Sequence, residues 1–175
     1  MDTKYSNMLN ATVGRINGIE NKLDCSIYTT NFTSLRQITQ IFCELNNIQM
    51  TELGNTSVSD IVGWAHKFFE QIRKSPVNKN QEEFVPIKPL TLPLLIELED
   101  AIGTPFYGGI DLDRISTQLI CVEKCYGLDS YQMSSIRNMQ YNEYIKYIWE
   151  PLKTALIEAL TPKIDVSEDT TEKNQ

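Results

Sequence analysis

Hydrophobic positions recur at helical spacing almost from the start of the chain. Tyr5, Leu9, Thr12, Ile16, Ile19 and Leu23 step by four, three, four, three and four, a heptad seam whose one soft position is Thr12. Gly14 and Gly18 lie inside it, and each weakens a helix by about 1 kcal/mol relative to alanine. The seam is shorter than three full heptads, so it predicts a helix packed within its own domain. The alternative is a helix that pairs with another chain through Leu9, Ile16 and Leu23. From Cys25 to Thr30 the residues lean toward a short extended piece. A second helix is predicted from near Thr33, with Leu35, Ile38, Phe42 and Leu45 inward and Asn46-Asn47 as its stop. A third follows Ser57, where Ser57 and Asp60 have capping-box spacing with Asp in place of Glu. Its inward face is Ile61, Ala65, Phe68 and Ile72, with Trp64 and His66 toward the other side.

The pattern then breaks. Pro76, Pro86 and Pro89 flank a polar run from Asn78 to Glu83, and prolines neither continue a helix nor favour one at the preceding residue. Residues 75–90 therefore read as a Pro-rich linker between an N-terminal helical region, 1–74, and a C-terminal one, 91–162. Thr91 can cap the next helix, Pro93 suits its first turn, and Leu94, Leu95, Leu98 and Ile102 give it an apolar face that Gly103 ends. Asp111 or Asp113 opens a helix carrying Leu112, Ile115, Leu119, Val122 and Tyr126 to Gly127, and a short element fits Ser130 to Met139. The last helix places Tyr141, Tyr144, Ile145, Ile148, Trp149 and Leu152 along one face and runs on toward Leu160, with a kink or a fresh start at Pro151. Residues 163–175, with Asp165, Glu168, Asp169 and Glu172, lose the apolar pattern and read as an acidic disordered tail. The predicted fold class is all-α: two sets of amphipathic helices joined by a linker.

Charge narrows the function classes. The formal net charge is −7 with the basic residues scattered, which argues against nucleic acid, since phosphate binding needs a basic footprint. The longest apolar stretch, Leu90 to Leu98, is interrupted by Pro93 and Glu97, so no membrane segment is expected. Met1 to Tyr5 lacks a signal-peptide layout, and the expected location is the cytoplasm. Cys121 and Cys125 stand one helical turn apart, but zinc would need two more ligands and the only histidine is His66. They read, with Cys25 and Cys43, as buried free thiols.

Catalytic chemistry finds little to use. One histidine with no nucleophile turn near it excludes a recognisable Ser-His or Cys-His pair, and Gly108-Gly109 lacks the lysine of a phosphate loop. Glu97 and Asp100 can share a helix face as magnesium ligands of a small metal-dependent nucleotide hydrolase, yet no second acidic helix matches them. No catalytic, cofactor-binding or metal residue is therefore assigned, and no cofactor is expected. Five of the eight tyrosines lie between Tyr126 and Tyr147, next to Trp149. Tyr144 and Trp149 suit a core, whereas Tyr131, Tyr141 and Tyr147 are candidate partner contacts.

Lys88-Pro89-Leu90-Thr91-Leu92, then Leu95, Leu98, Glu99 and Ile102, then Gly103, Thr104, Pro105, Phe106 and Gly108-Gly109 form a run that resembles small phage tail-assembly proteins. The following helix, Leu112 to Tyr126, is similar too, while Pro93 departs from the pattern. The resemblance implies a helical chaperone or structural component of virion assembly, without catalytic residues, acting in the host cytoplasm on phage structural proteins. The expectation is thus a non-enzymatic, helical protein-binding factor. Alternatives are the metal-dependent hydrolase, or an oligomeric structural subunit of a particle whose homo-oligomer contact is the Leu9-Ile16-Leu23 seam.

Overall fold

Thr12 decides where the first helix begins. In the structure, a computed structural model describing residues 11–27, 34–73 and 87–162, Thr12 is extended at φ −76° and ψ 157°, and its Oγ1 accepts from the Arg15 N–H at 3.4 Å. The soft position of the seam is therefore an N-cap. Helix α1 (Val13–Leu23) starts after it, so the predicted continuous helix from Tyr5 is not formed; Tyr5 and Leu9 lie outside the described residues. Just upstream, the Tyr141 N–H donates to the Ala11 carbonyl at 2.9 Å and the Val13 N–H to the Met139 carbonyl at 3.0 Å. This single antiparallel bridge is all the strand-like pairing among the described residues.

Helix α2 (Leu35–Asn46) ends as expected on Asn47, whose left-handed φ of 54° turns its N–H onto the Cys43 carbonyl. Phe42 and Leu45 are buried, whereas Leu35, expected inward, is exposed in the first turn. A 3₁₀ turn (Met50–Leu53) leads to α3 (Val58–Arg73), started by the Ser57 hydroxyl, which accepts from the Asp60 N–H and donates to the Asp60 carboxylate. Ile61, Ala65 and Phe68 are buried; Ile72 has no described side chain. Trp64, expected to point away, instead stacks on Phe68 at 5.1 Å and meets Phe42 edge-on at 5.0 Å. A one-turn offset on a helix flank is enough to fold a large ring back over its neighbours.

Residues 75–86 of the expected linker lie outside the described residues. The described part, from Ile87 to Leu90, is docked: the Lys88 N–H donates to the Cys125 carbonyl at 2.8 Å, and Ile87 and Leu90 pack on the core. Helix α4 (Leu92–Ile102) stops at Gly103, φ 76°, and a 3₁₀ turn (Phe106–Gly108) follows. Helix α5 (Ile115–Tyr126) stops at Gly127, and α6 (Ser130–Asn138) opens on a reciprocal Asp129–Gln132 capping box. The final rod is α7 (Tyr141–Tyr144), a π-helical turn (Ile145–Trp149) and α8 (Glu150–Leu160). Within the turn the Glu150 N–H reaches five residues back to the Ile145 carbonyl. The wider loop just ahead of Pro151 gives the proline ring room it lacks in a regular helix. The rod therefore runs on through a π turn and does not restart.

The described residues form an all-α fold with no sheet, and the two expected helix sets do not have separate cores. Helix α1 packs on α2, α5, α6 and α7, and α3 packs on α7. One hydrophobic cluster runs from Ile16, Ile41 and Phe68 through Ile115 and Cys121 to Trp149 and Leu156. Proline-rich punctuation marks a break in the chain's path, which need not coincide with a break in its core.

Candidate functional site

The candidate contact residues scatter between core and surface. Ile16 and Tyr141 are fully buried, taken up by the chain's own packing, so neither offers a surface to a partner. Leu23 and Tyr147 are half-buried, and Lys146 lies 5.8 Å over the Tyr147 ring. Tyr131, on α6, is 81% exposed. Leu9 lies outside the described residues. Helical periodicity alone cannot separate these cases, because a tyrosine on the buried stripe and one on the outer stripe are the same letter at nearly the same spacing.

An exposed aliphatic pair on α4 lies outside that set. Helix α4 packs on α5 and fully buries only Leu98. Its outer side carries Leu92, 70% exposed, and Ile96, 50% exposed, one turn apart with exposed Pro93 between them. Further along the same side come Glu97 and Asp100. The surface is thus apolar at the helix start and acidic toward its end. Beyond the following 3₁₀ turn, Tyr107 is also exposed, its hydroxyl donating to the Leu160 carbonyl at 2.8 Å.

Two of the three acidic residues of α4 have structural employment. Glu97 pairs with Lys124 at 2.6 Å, which holds its carboxyl below the usual range, and Glu99 accepts from the Phe106 N–H at 2.6 Å, fastening the turn after the helix. Among the described residues no group of three or more His, Cys, Asp or Glu could hold a metal. His66 is exposed. All four cysteines are free, and burial pushes the Cys121 thiol up to about 12 and Cys125 to about 11, which keeps both protonated and unreactive. None of the helices among the described residues is long and apolar enough to cross a membrane.

The interior holds one polar arrangement that the sequence reading missed. Glu20 is 1% exposed, and its two carboxyl oxygens accept from different elements: Oε1 from the Ile27 N–H at 2.7 Å and Oε2 from the Ile115 N–H at 2.8 Å. It thereby caps α5 from 95 residues away, where Asp111 or Asp113 was expected. Arg114, at the N-cap, bonds the Glu20 backbone carbonyl at 3.3 Å and the Asp24 carboxylate at 2.9 Å, leaving the Glu20 carboxyl to the amides. Asp113 pairs with Lys153 at 2.8 Å, and its carbonyl accepts from Ser26 Oγ at 2.9 Å. Burial raises the Glu20 carboxyl to about 7 against the lowering effect of the two amides and Arg114. A signal for this role was present: Val13, Ile16 and Glu20 step by three and four, which puts a carboxylate on the core stripe of α1.

No known protein-family model, curated protein or solved structure matches the chain.

Proposed function

We propose that this chain is a non-enzymatic helical protein-binding factor that acts in virion assembly, in tail assembly in particular, by covering apolar surface on a phage structural protein. The observation that carries the reading is the outer side of α4, where Leu92 and Ile96 stand exposed on a helix that fully buries one residue. Single exposed leucines are ordinary, but two large aliphatic side chains one turn apart, with a proline between them, form a contiguous patch. The resemblance of residues 88–126 to small tail-assembly proteins falls on the same helix. Exposed Tyr131 adds a second contact candidate. The partner that suits the α4 side is an apolar segment bordered by lysine or arginine, because Asp100 continues the patch and the chain carries a net −7. A second copy would bring like charge to like.

The test is co-expression with the products of neighbouring genes, a tail-tube and a tape-measure protein first, followed by affinity measurement. The double variant Leu92→Asp/Ile96→Asp is expected to keep its helical circular dichroism and to bind roughly 30-fold more weakly, the size of effect that losing two apolar anchors produces. Unchanged affinity in a folded double variant, or no binding by the unaltered chain to any of these products, overturns the reading.

A further inference from the structure

The Glu20 arrangement has the parts of a proton-operated joint. A carboxylate normally enters a protein interior with a cationic partner, because burying an unpaired charge is costly. Here the nearest cation, Arg114, is engaged elsewhere, on the Asp24 carboxylate and the Glu20 backbone carbonyl. What the carboxyl holds instead are two amides from two elements, Ile27 in the turn after α1 and Ile115 at the first residue of α5. Both bonds require acceptor oxygens. An ionised carboxylate supplies two, whereas a protonated one keeps a single good acceptor and presents an O–H donor in place of the other.

We propose that Glu20 is a pH-responsive clasp: ionised, it ties the turn at Ile27 to the start of α5, and protonated, it releases one of those two amides. The charged and titratable groups that bear on it are known by element. Asp24 and Cys25 lie at the end of α1, Asp111 and Arg114 lie ahead of α5, and Tyr144 approaches from α7. Arg114 favours the ionised clasp and Asp111 opposes it. Cys25 and Tyr144 are held protonated by burial, with Glu20 adding to the effect, so neither competes for the proton near neutrality. The carboxyl's raised affinity for a proton, about 7, brings the exchange between the two states into the neutral range.

The experiment is an NMR titration of the full chain from pH 4 to pH 9, following the Glu20 side-chain carboxyl carbon and the Ile27 and Ile115 amides together. A carboxyl midpoint within about one unit of 7, with an upfield move of at least one of the two amide protons on the acid side at the same midpoint, is the expected result. A carboxyl midpoint below about 5, the range of an unperturbed glutamate, overturns the proposal. So does a near-neutral carboxyl midpoint that neither amide follows. Glu20→Gln supplies a fixed neutral reference in which the amide transition is expected to vanish; a transition of undiminished size there assigns it to another group and also overturns the proposal. The measurement on the unaltered chain stands whether or not that variant folds.

Discussion

At the scale of the residue, Glu20 shows how a carboxyl can be both a structural necessity and a cost. Its two amide bonds cap α5 and fix the turn at Ile27, while its burial penalises the charge that makes those bonds strong. The sign of the pH effect follows from linkage. The folded-state value, about 7, lies above the unfolded value near 4.5, so the folded chain binds the proton more tightly than the unfolded chain. The stabilising contribution of protonation is fully present below about pH 4.5, is lost progressively as pH rises to about 7, and stays lost above it. The shift corresponds to about 3 kcal/mol, or roughly 5–10 °C in Tm for a chain of this size. Thermal unfolding at closely spaced pH values between 5 and 8 is expected to show Tm falling toward higher pH in the natural chain. The fall should be nearly absent in Glu20→Gln, whose side chain, like the protonated carboxyl, stays neutral with one acceptor oxygen at every pH. Equal slopes in the two proteins would assign the pH dependence to other groups.

Elements show where sequence pattern is sufficient and where it fails. Stops were legible because they depend on local chemistry: Asn47, Gly103 and Gly127 each take a left-handed φ that few residues tolerate, and each ends a helix where the sequence predicts it. The apolar face of the last rod was legible for the same kind of reason, and Tyr144, Ile148, Trp149 and Leu152 are all fully buried. The start of α5 was not, since its cap comes from Glu20 on α1 and no local window contains both residues. The apolar face read for α4, Leu94, Leu95, Leu98 and Ile102, leaves out Leu92 and Ile96, and both are exposed. Helix α1 offers a direct test of how context modifies propensity. Both of its glycines are unfavourable in an isolated helix, yet a Cβ at Gly18 meets nothing within 4 Å, while one at Gly14 comes within 3.2 Å of the Arg137 backbone carbonyl. Gly14 therefore permits the close approach of α1 to α6, and Gly18 serves no packing purpose. Gly18→Ala is expected to raise stability by about 0.5–1 kcal/mol. Gly14→Ala is expected to fall below Gly18→Ala by about 1–2 kcal/mol, because a backbone carbonyl has to yield in a packed interface. Urea unfolding of the two variants beside the natural chain checks both values, and equal gains would mean that the α1–α6 approach is loose.

At the scale of the whole molecule, a chain divided by composition is joined by its core. The division at residues 75–90 was inferred from prolines and polar residues, which govern backbone path, whereas the core is governed by where apolar faces meet. Those faces meet across the division: α1 lies among α2, α5, α6 and α7, the Ala11–Val13 segment is bridged to Met139–Tyr141, and α3 rests on α7. Two such halves cannot lose their structure independently, since unfolding either exposes apolar surface on the other. The two tryptophans happen to report on the two sides. Trp64 is half-buried on α3, stacked against Phe68, and Trp149 is fully buried in the π turn before Pro151. Trp64→Phe keeps an aromatic ring at the half-buried position and leaves Trp149 as the sole tryptophan, which excitation near its red edge selects. Urea unfolding of that variant, followed by Trp149 fluorescence and by far-ultraviolet circular dichroism over all helices, is expected to give midpoints that agree within about 0.2 M, as a single cooperative unit requires. Separate domains would give a fluorescence transition that covers only part of the circular dichroism change, with the remainder displaced to another urea concentration. A displaced second transition would return the chain to two cores.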